Sequence, residues 1–427
     1  MTRKTSEMSR RAVLKTGGAA IAATTFATPA LAKTRTVKIG IVSPETGPMA
    51  AFAEPTGFIV AQILETMGHK ISIGGTEHPF EIIVKDTQSS PNRASEVALE
   101  LIQRDEVDMI LSYGGPETAN PASDQCELNG VPSVSTAVPL EPWFFGRGGD
   151  PKVGFDWTFH HFFDGKTYAS SMLSFIERLE TNKVMGGLWP NDADGLALSQ
   201  AFTATFGGAG YDIVDPGRFD LPASSYSTQI SAFKAAGAEL AQCVVPPPAF
   251  TLFWDQCAQQ GFQPKVMIAS KSSEYPPSIK PLGDRARGVS VPIWFSRAYP
   301  FSSSITGQTA LQIIDDYEAA AGRQWAATLG STHAMLEAMI DALQRSSDID
   351  DPETVRDALA ATSLDTLIGK VDFSSGSLPN ASRMGVVMVQ WDDAAEGSPY
   401  PLDMFVVDNA EAPEIPLDRA PFPIPYS

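Results

Sequence analysis

A glycine-rich loop before a predicted helix carries a first set of candidate binding groups. Residues 114–118 read Gly-Gly-Pro-Glu-Thr and follow a strand predicted at 108–111. A helix N-terminus presents unpaired N–H groups that attract a carboxylate or another anion. The Thr118 hydroxyl can donate a hydrogen bond, and Glu117 can accept one from a cation. Gly115 and Pro116 complete this candidate site, for which helix capping is the alternative interpretation.

Six aromatic side chains fall at or near loops that follow predicted strands. Aromatic rings suit a flat or apolar ligand and lose little rotamer freedom when they bind one. Packing inside a core or a hinge is the alternative interpretation for all six. We take Phe52 and Trp143 as candidate ligand contacts, and the others are Tyr113, Phe144, Phe145 and Trp157.

Motifs of the common catalytic classes are missing from the chain. It contains no G-x-S-x-G, no G-x-x-x-x-G-K and no H-E-x-x-H. His160, His161 and Asp164 resemble a metal-binding set. However, adjacent residues of a strand point to opposite faces and rarely share one ion. We therefore expect no catalytic residue, no metal and no cofactor.

Apolar runs that alternate with helical patterns predict two α/β units in series. Helices separate most of the strands. A third region adds helices from about residues 307, 331 and 352, and 410–427 is predicted to be an extended arm. The strands are predicted at 37–42, 80–84, 108–111, 131–135, 183–188, 211–214, 240–245, 265–269, 289–293, 371–373 and 385–391.

Length and charge limit the function classes. The chain has 427 residues, enough for two domains, and its net charge is −19. Nucleic-acid binding needs clustered Lys and Arg, so this composition argues against it. No stretch approaches 18 uninterrupted apolar residues beyond the N-terminus, so we expect no membrane insertion. Cys243 and Cys257 are placed where a disulfide is conceivable, and buried free thiols, with Cys126 as a third, are the alternative.

Residues 1–32 are interpreted as an export signal. Residues 9–15, Ser-Arg-Arg-Ala-Val-Leu-Lys, resemble the twin-arginine motif, and an apolar run follows at 19–27. Ala30-Leu31-Ala32 then offers the small residues that signal peptidase accepts. No cysteine follows the expected cut, so a lipid anchor is not expected. We expect a free periplasmic protein that begins near Lys33.

Several segments resemble the branched-chain amino-acid-binding family of periplasmic receptors, which has the type 1 periplasmic binding fold. The resemblance covers nearly the whole chain after the signal. No segment is diagnostic alone, but their order and spacing match the family. They are Lys38–Pro48, Asp86–Pro91, Asn120–Asp124, Val131–Ala137, Trp189–Gly195 and Pro300–Gly307.

The resemblance implies two doubly wound α/β lobes joined by three chain crossings. The first lobe is then 33–158 with 297–372, and the second is 159–296 with 373–427. The resemblance also places the ligand between the lobes, at the carboxyl ends of the strands, where lobe closure buries it.

The resemblance also suggests site residues. Ala137 stands where the family offers backbone groups to a ligand carboxylate, and Glu274 where relatives carry an acid that faces the ligand ammonium. Three prolines, 246–248, depart from the family pattern and remove N–H donors, so the ligand need not be a branched-chain amino acid. The other candidates are Ser135, Val138, Asp164, Asn191, Asp192, Pro246, Pro247, Ser270 and Ser272.

The function implied is that of a receptor in an ABC uptake system. It would capture an amino acid, an amide, or an aromatic or short carboxylate, and the closed form would dock on an inner-membrane permease. We expect a monomer. A periplasmic sensor that signals to a membrane partner is one alternative, and an enzyme exported by the twin-arginine route is another.

Overall fold

The computed structural model describes residues 34–426. The export signal predicted at 1–32, with its twin-arginine motif and cleavage site, lies outside these residues. The described residues form two seven-stranded sheets with helices packed against them and a separate two-stranded antiparallel sheet of the twelfth and thirteenth strands. The strands are β1 (Val37–Ser43), β2 (Lys70–Ile73), β3 (Thr76–Asp86), β4 (Met109–Ser112), β5 (Ser133–Ser135), β6 (Thr158–His161), β7 (Val184–Leu188), β8 (Asp212–Val214), β9 (Leu240–Val244), β10 (Val266–Ser270), β11 (Val289–Ile293), β12 (Ser363–Thr366), β13 (Gly369–Asp372), β14 (Ala381–Ser382), β15 (Val387–Asp393) and β16 (Leu402–Asp408).

Helices connect most of the parallel strands. The α-helices are α1 (Thr56–Met67), α2 (Pro91–Gln103), α3 (Pro116–Asn129), α4 (Leu140–Phe144), α5 (Gly165–Ile176), α6 (Ala193–Gly208), α7 (Ser227–Ala235), α8 (Pro247–Gln260), α9 (Pro276–Ile279), α10 (Ala310–Ala321), α11 (Thr328–Arg345) and α12 (Pro352–Ala360). None of the helices in 34–426 is both long enough and apolar enough to cross a membrane.

The first sheet is built around β1. Its strand order is β14-β6-β5-β4-β1-β3-β2, and every pair is parallel except β2 with β3. Alternate side chains of β1 enter cores on opposite faces. Ile39 and Ile41 pack in the large core, whereas Val42 packs with Val97 and Leu101 of α2. Burial on both faces explains why β1 appears in the sequence as a continuous apolar run.

The second sheet has the order β16-β15-β11-β10-β9-β7-β8. Its β7 to β11 strands are parallel, while β15 and β16 are added antiparallel at one edge. Strand β16 was not predicted, although its seven residues are almost all buried. Cys126, Cys243 and Cys257 are buried free thiols, so the conceivable disulfide between Cys243 and Cys257 is absent.

The chain passes between the two sheets three times. It leaves the first sheet after β6, returns after β11, and leaves again after β14. We call the α/β layers around the two sheets the first and second lobes. The lobe limits predicted from the sequence remain a prediction. Strands β6 and β14 both belong to the first sheet, which therefore includes residues up to His161 and, later in the chain, Ala381 and Ser382.

Candidate ligand-binding site

A cavity lies between the lobes at the carboxyl ends of β9, β10 and β11, opposite the loops that follow β1, β4, β5 and β6. We call it the inner cavity. Its free volume is about 30 Å³, room for water molecules only. Six aromatic residues dominate its lining. The lining residues are Phe52, Phe162, Phe163, Tyr168, Tyr275, Trp294, Gly115, Ala137, Pro139, Leu198, Val244, Asp194, Ser270, Lys271 and Glu274.

The aromatic side chains form continuous walls. Phe52 of the first lobe packs on Tyr275 of the second, with ring centroids 4.3 Å apart. On the opposite wall, Phe163 stacks on Tyr168 at 4.0 Å, and Phe162 meets the edge of Trp294 at 4.5 Å. Such walls suit an apolar or flat portion of a ligand.

An ion-pair cluster joins the two lobes beside these walls. The Lys271 Nζ donates to Asp194 Oδ2 at 2.5 Å and to Glu117 Oε1 at 2.8 Å. Asp194 belongs to the second lobe, as Lys271 does, whereas Glu117 lies in the first turn of α3 in the first lobe. Gly115 leaves space for this contact. It has a φ of 86°, and a Cβ there would lie 2.4 Å from Glu117 Oε2.

Burial and charge set the protonation of this cluster. Burial works against the Lys271 ammonium, but Asp194 and Glu117 outweigh that effect and raise the pKa of Lys271. Burial also raises the pKa of Asp194, although Lys271 acts in the opposite direction. Lys271 is therefore charged at any physiological pH.

Glu274 follows β10 and is almost completely buried. Its Oε1 accepts the backbone N–H of Lys271 at 3.0 Å. Burial raises the pKa of Glu274 to about 8, and hydrogen bonds from nearby backbone N–H groups only partly offset this effect. Its carboxyl group is therefore mainly protonated at neutral pH and can donate as well as accept a hydrogen bond.

Several polar atoms of the site have no hydrogen-bond partner within the part of the chain that the structure describes. A buried polar atom without a partner costs about 1–3 kcal/mol. Such atoms are expected where a ligand supplies the missing partners. In this site they are Glu117 Oε2, Asp194 Oδ1, Glu274 Oε2, the Tyr275 hydroxyl and Trp294 Nε1.

A larger outer chamber of about 680 Å³ lies on the other side of the ion-pair cluster. Glu117 lines this chamber, while its partner Lys271 lines the inner cavity, so the pair stands between the two spaces. Asn191, Asp192 and Pro246 also line the outer chamber.

The structure brings nine of the predicted site residues together around these two spaces. Five line the inner cavity and four line the outer chamber. They are Phe52, Gly115, Ala137, Ser270 and Glu274 in the cavity, and Glu117, Asn191, Asp192 and Pro246 in the chamber.

Other predicted residues act on local backbone instead. Asp164 accepts the Thr167 N–H at 2.7 Å and caps α5. The Thr118 hydroxyl donates to the Tyr113 carbonyl oxygen, and the Ser272 hydroxyl to that of Ala269. Pro116 and Pro247 are the first residues of α3 and α8, a position where a missing N–H is tolerated. Helix capping explains Asp164, hydrogen bonds to backbone carbonyls explain Thr118 and Ser272, and a place at the first helical position explains the two prolines. None of these residues lines either space.

The remaining predicted residues lie inside the first lobe. Trp143 stacks on His160 at 4.7 Å and shares an apolar cluster with Val138. The Ser135 hydroxyl contacts His160 Nδ1 at 3.1 Å. Trp143 therefore does not reach the cavity, because α4 turns its ring into the core.

Neither the inner cavity nor the outer chamber is lined by the four remaining aromatic candidates or by His160 and His161. The Tyr113 hydroxyl bonds to Ser43 Oγ, Phe144 joins the Trp143 cluster, Phe145 is exposed, and Trp157 packs under Arg356. No group of three or more His, Cys, Asp or Glu side chains suited to a metal occurs in 34–426.

Six important lining residues were not predicted. Lys271 and Tyr275 share the loop of Glu274, while Phe162, Phe163 and Trp294 directly follow β6 and β11. Their positions just beyond strand ends are the signal that could have found them. Asp194 carries no such signal, because it lies inside the first turn of α6.

A model of a protein family described as periplasmic binding protein matches residues 36–396. Solved structures share the fold. A leucine-binding protein from Thermotoga maritima superposes with a TM-score of 0.70 at 20% identity, over 88% of this chain and 99% of that one. A branched-chain amino-acid transporter substrate-binding protein from Streptococcus pneumoniae, in complex with isoleucine, gives 0.71 at 14% identity, over 87% and 99%.

A third similar structure holds an aromatic ligand. It is a solute-binding protein of an ABC transporter from Rhodopseudomonas palustris BisB5, in complex with 3,4-dihydroxybenzoic acid. Its TM-score is 0.69 at 18% identity, over 89% of this chain and 99% of that one. At these identities the likeness establishes the arrangement of two α/β lobes.

Proposed function

Because the chain belongs to the periplasmic binding protein family, we propose that it is the extracytoplasmic receptor of an ABC uptake system. It captures a small organic solute, either an amino acid, an amide, or an aromatic or short carboxylate. The twin-arginine route exports it to the periplasm, where its closed form docks as a monomer on an inner-membrane permease. The family consists of solute-binding proteins and not of enzymes, and binding alone requires no bond chemistry.

The observation that carries this proposal is the inner cavity with its unpartnered polar atoms. Trp294 Nε1, the Tyr275 hydroxyl and Glu274 Oε2 are buried at the cavity and have no hydrogen-bond partner among residues 34–426. A solute between the lobes would supply those partners and cover the aromatic walls. A micromolar affinity requires about −8 kcal/mol, which a few hydrogen bonds and one or two buried apolar contacts provide.

The ligands of similar proteins support the same range of solutes. Proteins with this fold are described as binding leucine, isoleucine or 3,4-dihydroxybenzoic acid. The six aromatic rings of the inner cavity suit aliphatic and aromatic groups alike.

Thermal unfolding in the presence of single solutes tests the proposal. The panel contains amino acids, amides, aromatic acids and short aliphatic acids. A solute that binds only the folded protein at about 100 times its Kd adds about 2.7 kcal/mol to the free energy of unfolding, so the melting temperature rises with its concentration. A panel without any saturable rise contradicts the receptor function.

Two matched tryptophan variants locate the binding. Trp294→Phe removes the unpartnered N–H of the cavity but keeps a ring, so it should reduce the ligand-induced rise in melting temperature. Trp143→Phe makes the same change in the core of the first lobe and should leave that rise intact. Equal effects of both variants would place binding outside the inner cavity. Loss of uptake of the bound solute in a strain that lacks the gene would connect binding with transport.

A further inference from the structure

The inner cavity already contains a cation. The Lys271 side chain is 7% exposed, and its ammonium lies between Asp194 Oδ2 and Glu117 Oε1. An ammonium has three N–H donors, and these two carboxylates accept two of them. Lys271 also lines the cavity, and its third N–H has no partner among residues 34–426. The Lys271 ammonium therefore occupies the position in which a ligand ammonium would contact Asp194 and Glu117.

Glu274, the remaining acid of the cavity, carries little negative charge that could attract a ligand cation. Glu274 Oε1 is engaged by the Lys271 backbone N–H. Burial favours its neutral form, because the pKa of Glu274 is raised to about 8. Together with Trp294 Nε1 and the Tyr275 hydroxyl, its O–H provides uncharged donors that face the cavity.

The cavity therefore presents donors to an acceptor on the ligand. Lys271 supplies one charged donor, and Trp294, Tyr275 and protonated Glu274 supply neutral ones. Hydrogen bonds between an ammonium and a carboxylate are among the strongest in proteins. The free oxygens Asp194 Oδ1 and Glu117 Oε2 remain as acceptors for neutral donors such as ligand hydroxyls.

We infer that Lys271 determines specificity and that the solute is a small carboxylic acid with an apolar, preferably aromatic, body and no ammonium group. This inference rests on the proposed receptor function. The ligand carboxylate accepts the free N–H of Lys271, and the ligand body lies between the aromatic walls. An ammonium on the ligand would have to compete with Lys271 for Asp194 Oδ2 and Glu117 Oε1, which Lys271 already occupies.

Isothermal titration calorimetry with matched pairs of solutes tests the inference on the whole purified protein. 3-Phenylpropionate and L-phenylalanine share one skeleton and differ only in the α-ammonium. 4-Methylpentanoate and L-leucine form a second pair. We expect the acid without nitrogen to bind at least about tenfold more tightly than its amino-acid counterpart, with the larger effect in the aromatic pair.

Variants of Lys271 test its role directly. Lys271→Met should weaken 3-phenylpropionate binding by about 30-fold or more, since a buried charged partner is lost. Lys271→Arg keeps the charge and should retain most of the affinity. Lys265→Met is the control, because Lys265 is also paired, with Glu239 at 3.0 Å, but lies away from the cavity. If Lys271→Met fails to fold, the double variant Lys271→Met with Asp194→Asn is used in its place. The second substitution removes the buried acid that has lost its cation.

The possible outcomes separate the inference from the receptor function. Tighter binding of L-phenylalanine or L-leucine than of the matching acids, or unchanged acid binding by the Lys271 variants, overturns the inference while the receptor function stands. An absence of binding for both pairs and for the whole solute panel overturns the receptor function, and the inference with it.

Discussion

At the scale of single residues, the site depends on acids held in an environment with little water. Glu274 is the clearest example. In the unfolded chain its carboxyl group has its ordinary pKa of 4.5, and in the folded protein burial raises that pKa to about 8. Between these values the folded protein retains a proton that the unfolded chain has lost. Stability from this group is therefore present at low pH and is lost as the pH rises, by up to about 1.4 kcal/mol per pH unit.

Glu274→Gln should remove that loss, since an amide does not ionise. We expect the free energy of unfolding of the variant, relative to the wild type, to increase steadily from about pH 5 to about pH 8. Urea denaturation across this range measures the difference. Glu353→Gln, a substitution of an exposed acid at the start of α12, is the matched Glu→Gln control. A difference for Glu274→Gln that stays constant across this pH range would show that burial does not hold this carboxyl group neutral.

At the scale of secondary-structure elements, acids at helix N-termini cap the helices, and some of these acids also line the spaces between the lobes. Asp164 and Asp192 both precede helices, α5 and α6, and each accepts a backbone N–H at 2.7 Å. Asp192 also lines the outer chamber, whereas Asp164 lines neither space. The same residue type at the same helix position thus serves stability in one case and stands near the candidate site in the other.

Asp164→Ala should lower the free energy of unfolding by about 1 kcal/mol, because the first turn of α5 loses its cap. Ligand affinity should not change. Asp164→Asn keeps a capping oxygen and should restore most of the stability. Chemical denaturation and calorimetric titration of the same preparations separate the two effects. A fall in affinity larger than the fall in stability would instead return Asp164 to the ligand site.

The sequence predicted most elements because parallel strands buried on both faces appear as apolar runs. Several of the loops it indicated lie around the inner cavity, since residues that follow such strands meet at one edge of a sheet. Which side chain of a loop enters the cavity was less predictable. Lys271 and Ala137 have φ values of 67° and 52°, conformations that sequence patterns rarely indicate for residues other than glycine. Strand β16 was not predicted, although it pairs antiparallel with β15, the strand that immediately precedes it in the chain.

At the scale of the whole molecule, the two lobes meet across the candidate site. The Glu117–Lys271 ion pair and the Phe52–Tyr275 ring contact both join the first lobe to the second. The free space between them is about 30 Å³, too small for an amino acid or an aromatic acid. A solute can therefore occupy this site only when the lobes lie farther apart than they do in this structure, and a solute that contacts both lobes then holds them together.

Glu117→Gln removes one charge from this contact and should shift the protein without ligand toward an open form. Small-angle X-ray scattering should then give a larger radius of gyration than for the wild type. A saturating ligand should bring the two values together, since both proteins can still close on it. Glu100→Gln alters a surface ion pair within the first lobe and serves as the control. Identical radii without ligand would show that the ion pair does not hold the lobes together.

A crystal structure of the protein with the tightest-binding carboxylic acid of the panel would show directly how the solute is held. We expect density for the acid between the lobes, its body against Phe52, Tyr275 and Trp294, and its carboxylate within hydrogen-bond distance of Lys271 Nζ. Density for the acid only outside this cavity, or a bound solute whose ammonium displaces Lys271 from Asp194, would show that Lys271 does not bind the ligand carboxylate.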